Sequence, residues 1–268
     1  APTVLVMLAN TPAEQRGDVR QGVRVMTAGA PPAATTIQRV EGEFGWELLH
    51  VYGLTETSPF ITVCEPRPEH RELTRADLAT VKARQGVELI TSGELRVVDE
   101  KGADVPRDGQ TLGEIVVRGN AVMAGYYNDP DTTAHAMRDG WFHSGDAAVI
   151  HADGYIEIRD RFKDVIISGG ENISSVEVEG VMMRHPDVQE IAVVGMPDEK
   201  WGETPHAFVV LTQRGATTEA ELIAYVRERM THFKAPRHIS FVDELPKTAT
   251  GKVQKYVLRQ GHSAISKQ

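Results

Sequence analysis

The sequence is short of several things, and each shortage removes a class of protein. One cysteine, Cys64, among 268 residues allows no internal disulfide and fits a reducing compartment such as the cytoplasm. The longest apolar runs, such as Ile191–Met196 and Phe208–Leu211, are a handful of residues, whereas a membrane span needs roughly 18 or more, so no membrane span is expected. Basic excess is missing as well: 29 Lys and Arg stand against 38 Asp and Glu, a net charge of −9, which argues against a general nucleic-acid binder. The ten histidines form no His-Glu-x-x-His, and one cysteine gives a zinc site nothing to stand on. No Gly-x-Ser-x-Gly elbow supports a serine hydrolase. The opening stretch, APTVLVMLANTPAEQ, has neither a basic n-region nor a cleavage site, and is expected to be a cut within a longer chain rather than a signal peptide.

What is present is an ordinary globular composition, 41% hydrophobic, 25% charged and 6% aromatic, and a length that suggests two domains. Charge is unevenly divided. From Arg227 to Gln268 nine Lys and Arg face three acidic residues, a local net of +6 in an otherwise acidic chain. A basic end of this kind is either a solvated face or a surface that meets a small polyanion such as ATP or coenzyme A, and composition does not choose. The first 50 residues alternate as strand Val23–Met26, a Gly29-Ala30-Pro31-Pro32 turn, helix Thr35–Phe44 and strand Leu48–Val51. From Gly93 to Arg161 the texture is short alternating strands, with Asp153-Gly154 as a hairpin turn. Beyond Lys163, Ser174 with Glu177 and Thr218 with Glu221 read as capping boxes, the second ahead of a helix over Leu222–Met230. The expected architecture is α/β followed by α+β, with the first domain over 1–162, its β-rich part at about 93–161, and the second over 163–268.

Four polar, glycine-bearing clusters fall where apolar strands end, the usual place for ligand sites in open α/β sheets. In Tyr52-Gly53-Leu54-Thr55-Glu56-Thr57 the glycine permits close backbone approach, a threonine hydroxyl can hold a phosphate oxygen and the carboxylate can hold Mg²⁺; an ordinary capped turn explains the same residues equally well. In Gly140-Trp141-Phe142-His143-Ser144-Gly145-Asp146 a carboxylate after a tight turn could accept two ribose hydroxyls, although an aspartate in a turn is commoner. Arg159–Asp164 running into Ser168-Gly169-Gly170-Glu171-Asn172 is the third cluster, and Pro246-Lys247-Thr248-Ala249-Thr250-Gly251-Lys252 the fourth. A lysine on such a loop is usually just solvated.

Taken together, YGLTET, GEIVVRGNAVMAGYYNDPDTT, GWFHSGD, DRFKDVIISGGENISSVEVE and PKTATGKVQK stand in an order and spacing that resemble the AMP-forming acyl-CoA synthetases, an adenylating family that also includes peptide-synthetase adenylation domains and luciferases. The match runs from about Gly22 to Arg259. The resemblance implies the end of a large adenylating domain followed by a compact lid domain, and a reaction in two steps. A carboxylate attacks the α-phosphate of ATP to give acyl-AMP and pyrophosphate, and a thiol then displaces AMP. It further implies that Gly29, Ala30, Pro31, Tyr52 and Gly53 frame the nucleotide and that Thr55 and Glu56 serve phosphate and Mg²⁺. Asp146 and Arg161 would fix the ribose, and Lys252 would be the catalytic lid lysine. Lys163 would be the hinge between two poses, and Gly169 and Gly170 would line the path of coenzyme A.

The family's Ser/Thr/Gly-rich phosphate loop is missing. Thr91-Ser92-Gly93 runs into Glu94-Leu95-Arg96, an acidic strand start, and Gly251-Lys252 has Pro246 where a Walker loop needs glycine. The chain is therefore expected to be the C-terminal half of a synthetase, inactive alone, with the N-terminal half as its missing partner. A free-standing carboxylic acid–CoA ligase acting on a short, medium or fatty acid fits better than an adenylation domain serving a carrier protein, since only 16 residues follow Lys252. The end Ser266-Lys267-Gln268 departs from the peroxisomal Ser-Lys-Leu in which the luciferase branch of that family often ends. A non-catalytic fragment that binds nucleotide or a partner chain is the alternative from another class. A homo-oligomer is left open.

Overall fold

The computed structural model describes residues 2–248 and 251–265. The chain divides into two units, Ala1–Ile158 and Arg159–Gln268, so the division lies a few residues before the 162/163 boundary expected from the sequence.

In the first unit, α1 (Pro2–Asn10) precedes β1 (Arg24–Thr27), α2 (Ala34–Phe44) and β2 (Glu47–Gly53), and β1 pairs with β2 in parallel, Thr27 opposite His50. Helix α2 forms because Ile37, Val40 and Phe44 recur at helical spacing and are buried, and it stops at Gly45, whose φ of 65° is left-handed. Strand β3 (Phe60–Cys64), α3 (Arg75–Lys82) and β4 (Val87–Glu88) complete a four-stranded sheet in the order β1-β2-β3-β4. His50, buried in β2, donates from Nδ1 to the carbonyls of Ala83 and Arg84 at 3.0 and 2.8 Å. Cys64 is buried, its Sγ 3.1 Å from the Val81 carbonyl, and burial pushes its thiol up to about 12.

A second sheet is built from β5 (Glu94–Val98), β6 (Gly113–Arg118), β7 (Met137–Arg138), β8 (Trp141–Ile150) and β9 (Ile156–Arg161), with α4 (Pro130–Ala136) before β7. Its core is Val97, Ile115, Val117, Phe142, Ala148 and Ile156, joined by Tyr52 and Ile61 from the first sheet. Asp153 and Gly154 turn β8 into β9: Gly154 has a φ of 83° and donates to the His151 carbonyl at 2.8 Å.

The second unit holds β10 (Ile166–Ser168), β11 (Glu171–Ile173), α5 (Ser175–Met182), β12 (Val188–Asp198), β13 (Gly202–Leu211), α6 (Glu219–Arg227), β14 (His238–Phe241) and α7 (Lys255–Ile265). The long antiparallel pair β12–β13 is apolar on both faces. Val193, Ala207 and Val209 pack toward Val178, Met182, Leu222 and Val226, while Ala192, Val194, Phe208 and Val210 pack toward Leu245 and Leu258. This is what a period-two strand does when helices cover one face and the C-terminal segment the other. Thr218 and Glu221 cap α6 reciprocally, and the helix spans 219–227 rather than 222–230. At α5, Ser174 caps the Glu177 amide at 3.1 Å, but the Glu177 carboxylate turns to Lys234 at 2.7 Å instead of closing the box.

Candidate functional site

The expected nucleotide residues of the first unit, Asp146 apart, lie at or just beyond the C-terminal ends of two parallel strands. Beyond Thr27 the chain makes the exposed Gly29–Pro31 turn, with Gly29 at φ 92°. Beyond His50 it continues through Tyr52 and Gly53 into the Thr55–Thr57 3-10 turn. The hydroxyl of Thr27, buried at the base of the first turn, is the one buried side-chain polar atom without a partner among the described residues.

Only glycine fits at 53. A Cβ there would lie 1.7 Å from the Pro59 carbonyl oxygen, because the loop folds straight back over the strand end. The loop is held by Thr57, fully buried, whose Oγ1 accepts from the Leu54 amide at 2.9 Å and lies 3.0 Å from the Leu54 and Pro59 carbonyls. Thr55 is left exposed and Glu56 half-buried. Glu56 Oε1 accepts from Tyr126 Oη at 3.0 Å, and its carbonyl accepts from the Met123 amide at 2.8 Å.

Tyr52 and Asp146, 94 residues apart, meet. Tyr52 Oη donates to Asp146 Oδ2 at 2.6 Å, and both residues are buried, a short charge-assisted bond. Asp146 sits where β8 shifts register against β6. The kink is fixed by Gly145 at φ 71° and by Glu114, which accepts from the Gly145 amide and Arg138 at 3.0 Å each and lies 2.7 Å from His143 Nδ1. Ser144 adds a bond to the Ile115 carbonyl at 2.8 Å and accepts from the Asp146 amide at 3.1 Å. Ser92, in the stretch dismissed as a phosphate cradle, is buried and bonded to the Ile61 and Leu89 carbonyls.

The remaining expected residues belong to the second unit. Asp160 is buried; its Oδ2 accepts from the Ser175 amide and hydroxyl at 2.7 and 2.6 Å and its Oδ1 from the Arg161 amide at 2.8 Å. Lys163 is exposed in a tight turn in which Asp164 and Val165 donate to the Arg161 carbonyl. Gly169 and Gly170, at φ 61° and 87°, form the two-residue turn of the β10–β11 hairpin, Ser168 opposite Glu171, the geometry that demands positive φ at both positions. A Cβ on Gly169 would meet the Trp201 ring at 2.7 Å, whereas one on Gly170 meets nothing within 4 Å. A groove beside this turn is lined by Trp201, Phe233, Arg227 and Arg237, with the Lys200 and Arg237 cations over the Trp201 ring.

Lys252 is exposed on a small hairpin closed by a Lys247–Val253 bridge. Thr248 donates to the Lys252 carbonyl at 2.8 Å, and the Lys252 amide donates to Thr248 Oγ1 at 3.1 Å. The neighbouring Ala249 and Thr250 lie outside the described residues, as do Ser266, Lys267 and Gln268. The sequence reading missed Thr57, Tyr126 and Glu114, the residues that shape the site. Tyr126 lies inside GYYNDP and Glu114 follows the glycine that opens GEIVV, so the motifs held them without saying which partner each would find.

Residues 1–127 match the family of AMP-binding enzymes, and residues 177–252 match the C-terminal domain of the same enzymes. The chain belongs to the AMP-binding enzyme family. Among its relatives in that family, 2-methylpropanoate–CoA ligase of Humulus lupulus is 50% identical over 264 residues, 97% of this chain and 47% of that protein. A probable acyl-activating enzyme 5 of Arabidopsis thaliana, named as peroxisomal, is 51% identical over 265 residues, again 97% of this chain and 47% of the relative. Among solved structures, ATP-bound MatB from Rhodopseudomonas palustris is 32% identical with a TM-score of 0.82, over 98% of this chain and 50% of that one. The chain spans about half the length of the curated relatives it matches. No described helix is long and apolar enough to cross a membrane.

Proposed function

We propose that these residues form the C-terminal half of an ATP-dependent carboxylic acid–CoA ligase. A carboxylate oxygen attacks the α-phosphorus of ATP, expelling pyrophosphate and leaving acyl-AMP. The thiol of coenzyme A, losing its proton, then attacks the acyl carbon and expels AMP. The observation that carries this reading is the Tyr52–Asp146 bond at 2.6 Å, which joins two motifs that the reading assigns to one nucleotide.

On this reading Gly29, Ala30, Pro31, Tyr52 and Gly53 frame the adenine, and Asp146 with Arg161 takes the ribose hydroxyls. Thr55, exposed, faces phosphate. Glu56 suits Mg²⁺, which is commonly held by one or two carboxylates together with substrate phosphates; among the described residues no cluster of three or more His, Cys, Asp or Glu offers a cage. Bound there, Mg²⁺ would offset phosphate charge. Lys252 supplies an ammonium to the charge that shifts among carboxylate, α-phosphate and leaving pyrophosphate. The small domain turns about Lys163 between the two steps. Coenzyme A passes Gly169 and Gly170, and the aromatic and cationic groove beside them suits its nucleotide.

The acid is a small or medium carboxylic acid of the kind named for the hop relative or a fatty acid, and the compartment proposed is the cytoplasm, with the peroxisome as the alternative raised by the Arabidopsis relative. The test is ATP–pyrophosphate exchange and CoA-dependent AMP release over a panel of carboxylic acids, with the 268 residues alone and joined to an upstream adenylating half. The joined form is expected to make thioester and the 268 residues alone little or none. Robust synthesis by the short chain, or none by the joined form with any acid, overturns the reading.

A further inference from the structure

On the proposed function, the exposed hairpin that carries Lys252 has to hold a cation to the sub-ångström tolerance that transition-state stabilisation needs. Its own bonds close the turn, and its base is tied to the unit by Lys247, whose Nζ reaches Glu190 at 2.7 Å, and by Val253, which packs against the buried cluster of Ala192, Val194 and Leu258. A more buried tie follows three residues after Lys252, at the first residue of α7. Lys255 Nζ lies 2.7 Å from Glu179 Oε1 and donates to Ser175 Oγ, with only 15% of the Lys255 side chain exposed. The Ser175 hydroxyl donates in turn to Asp160 Oδ2, and Glu179 Oε1 also accepts from the Val193 amide at 2.7 Å. One ammonium thus reaches α5 directly and, through its two partners, the end of β9 and β12. One turn further along α7, Arg259 reaches Asp164 at 2.7 Å, the i, i+4 spacing that puts both cations on one helix face. A solvated lysine makes no such set of contacts.

We propose that Lys255 is a positioning residue for adenylation: clamped between Glu179 and Ser175, it fixes the start of α7 and thereby the hairpin from which Lys252 acts. The proposal rests on the role of Lys252 in the proposed function. Lys255 touches no reacting atom in this scheme. Its loss should alter where the Lys252 ammonium sits, not how tightly substrates bind.

The experiment uses the full-length enzyme with K252A, K255M, K255R, the charge-neutral pair K255M/E179Q and the double variant K252A/K255M, each first shown to be folded by circular dichroism. Adenylation is read as kcat and KM for ATP in pyrophosphate exchange, and the second step as conversion of supplied acyl-AMP to thioester. K255M and K255M/E179Q should lower adenylation kcat by about 10–100-fold, the size of effect an ångström of misplacement can have, with KM for ATP and the second step little changed. K255R should restore most of the rate, and K252A/K255M should be no slower than K252A, because both changes remove one function. Normal adenylation in K255M/E179Q beside a crippled K252A overturns the positioning role alone. Equal loss in both steps, or a double variant slower than K252A by the product of the single effects, marks Lys255 as merely structural and overturns it too. Unimpaired adenylation in K252A overturns the Lys252 reading and the proposal with it.

Discussion

Tyr52 and Asp146 are a case in which one hydrogen bond does two jobs at residue scale. The phenol satisfies a carboxylate that is otherwise 4% exposed, and it orients that carboxylate for the hydroxyls it is proposed to accept. Asp146→Ala should weaken both half-reactions, because ATP and acyl-AMP share a ribose, with a loss of about 1.5–3 kcal/mol for each charge-assisted bond removed. Tyr52→Phe keeps the charge and loses the orientation, so it should lower stability in chemical denaturation while raising KM for ATP less than Asp146→Ala does. Wild-type ATP use in Asp146→Ala would reduce Asp146 to a turn residue. His50 gives a second residue-scale expectation. Burial lowers its pKa from 6.5, so the unfolded chain binds the proton more tightly than the folded one. Its contribution to stability is intact above pH 6.5 and is lost as pH falls from there toward the lower folded value. Melting temperatures measured from pH 7.5 down to 5 should therefore fall less steeply for His50→Gln than for wild type, and parallel curves would remove His50 from the account.

At the scale of the element, the β10–β11 turn separates backbone demand from ligand demand. Both glycines have positive φ, but only Gly169 is crowded, by Trp201. Gly169→Ala should destabilise more than Gly170→Ala, for which left-handed strain of about 1–2 kcal/mol is the only local cost. If coenzyme A passes this turn, a bulky residue at Gly170 should slow thioester formation and spare pyrophosphate exchange; equal slowing of both would assign the turn to folding alone. The elements legible in the sequence were those whose signals are local. The β1-α2-β2 order shows in a change of period, the Thr218 cap in a four-residue box, and the Asp153-Gly154 turn in a dipeptide. What escaped depended on distant partners. Glu177 completes no box because Lys234 is nearby, and Glu56 is held by a tyrosine 70 residues away. Helices α1, α3, α4 and α7 went unread because they are short or begin without a strong local signal, and α7 is held by a half-buried ion pair that only the fold creates.

For the whole molecule, the division of the chain at Ile158–Arg159 gives the two-step reading its mechanical test. Rotation about Lys163 needs φ to change there, and proline fixes φ near −65°. Lys163→Pro in the full-length enzyme should trap one pose, with pyrophosphate exchange kept and CoA-dependent AMP release lost. Retention or loss of both activities together would mean that the units do not alternate. Which acid the proposed ligase would activate was not legible, because the motifs in these residues are nucleotide motifs and the relatives extend over about twice this length.

The seclusion of Cys64 matters for an enzyme proposed to make a mixed anhydride that any thiolate can intercept. A thiol raised to about 12 and closed off beneath the Val81 carbonyl is almost never ionised at neutral pH. On the proposed function, the one sulfhydryl in these 268 residues would therefore not compete with coenzyme A for the acyl group, and no protein thioester would form at Cys64 while an adenylate waited for its acceptor.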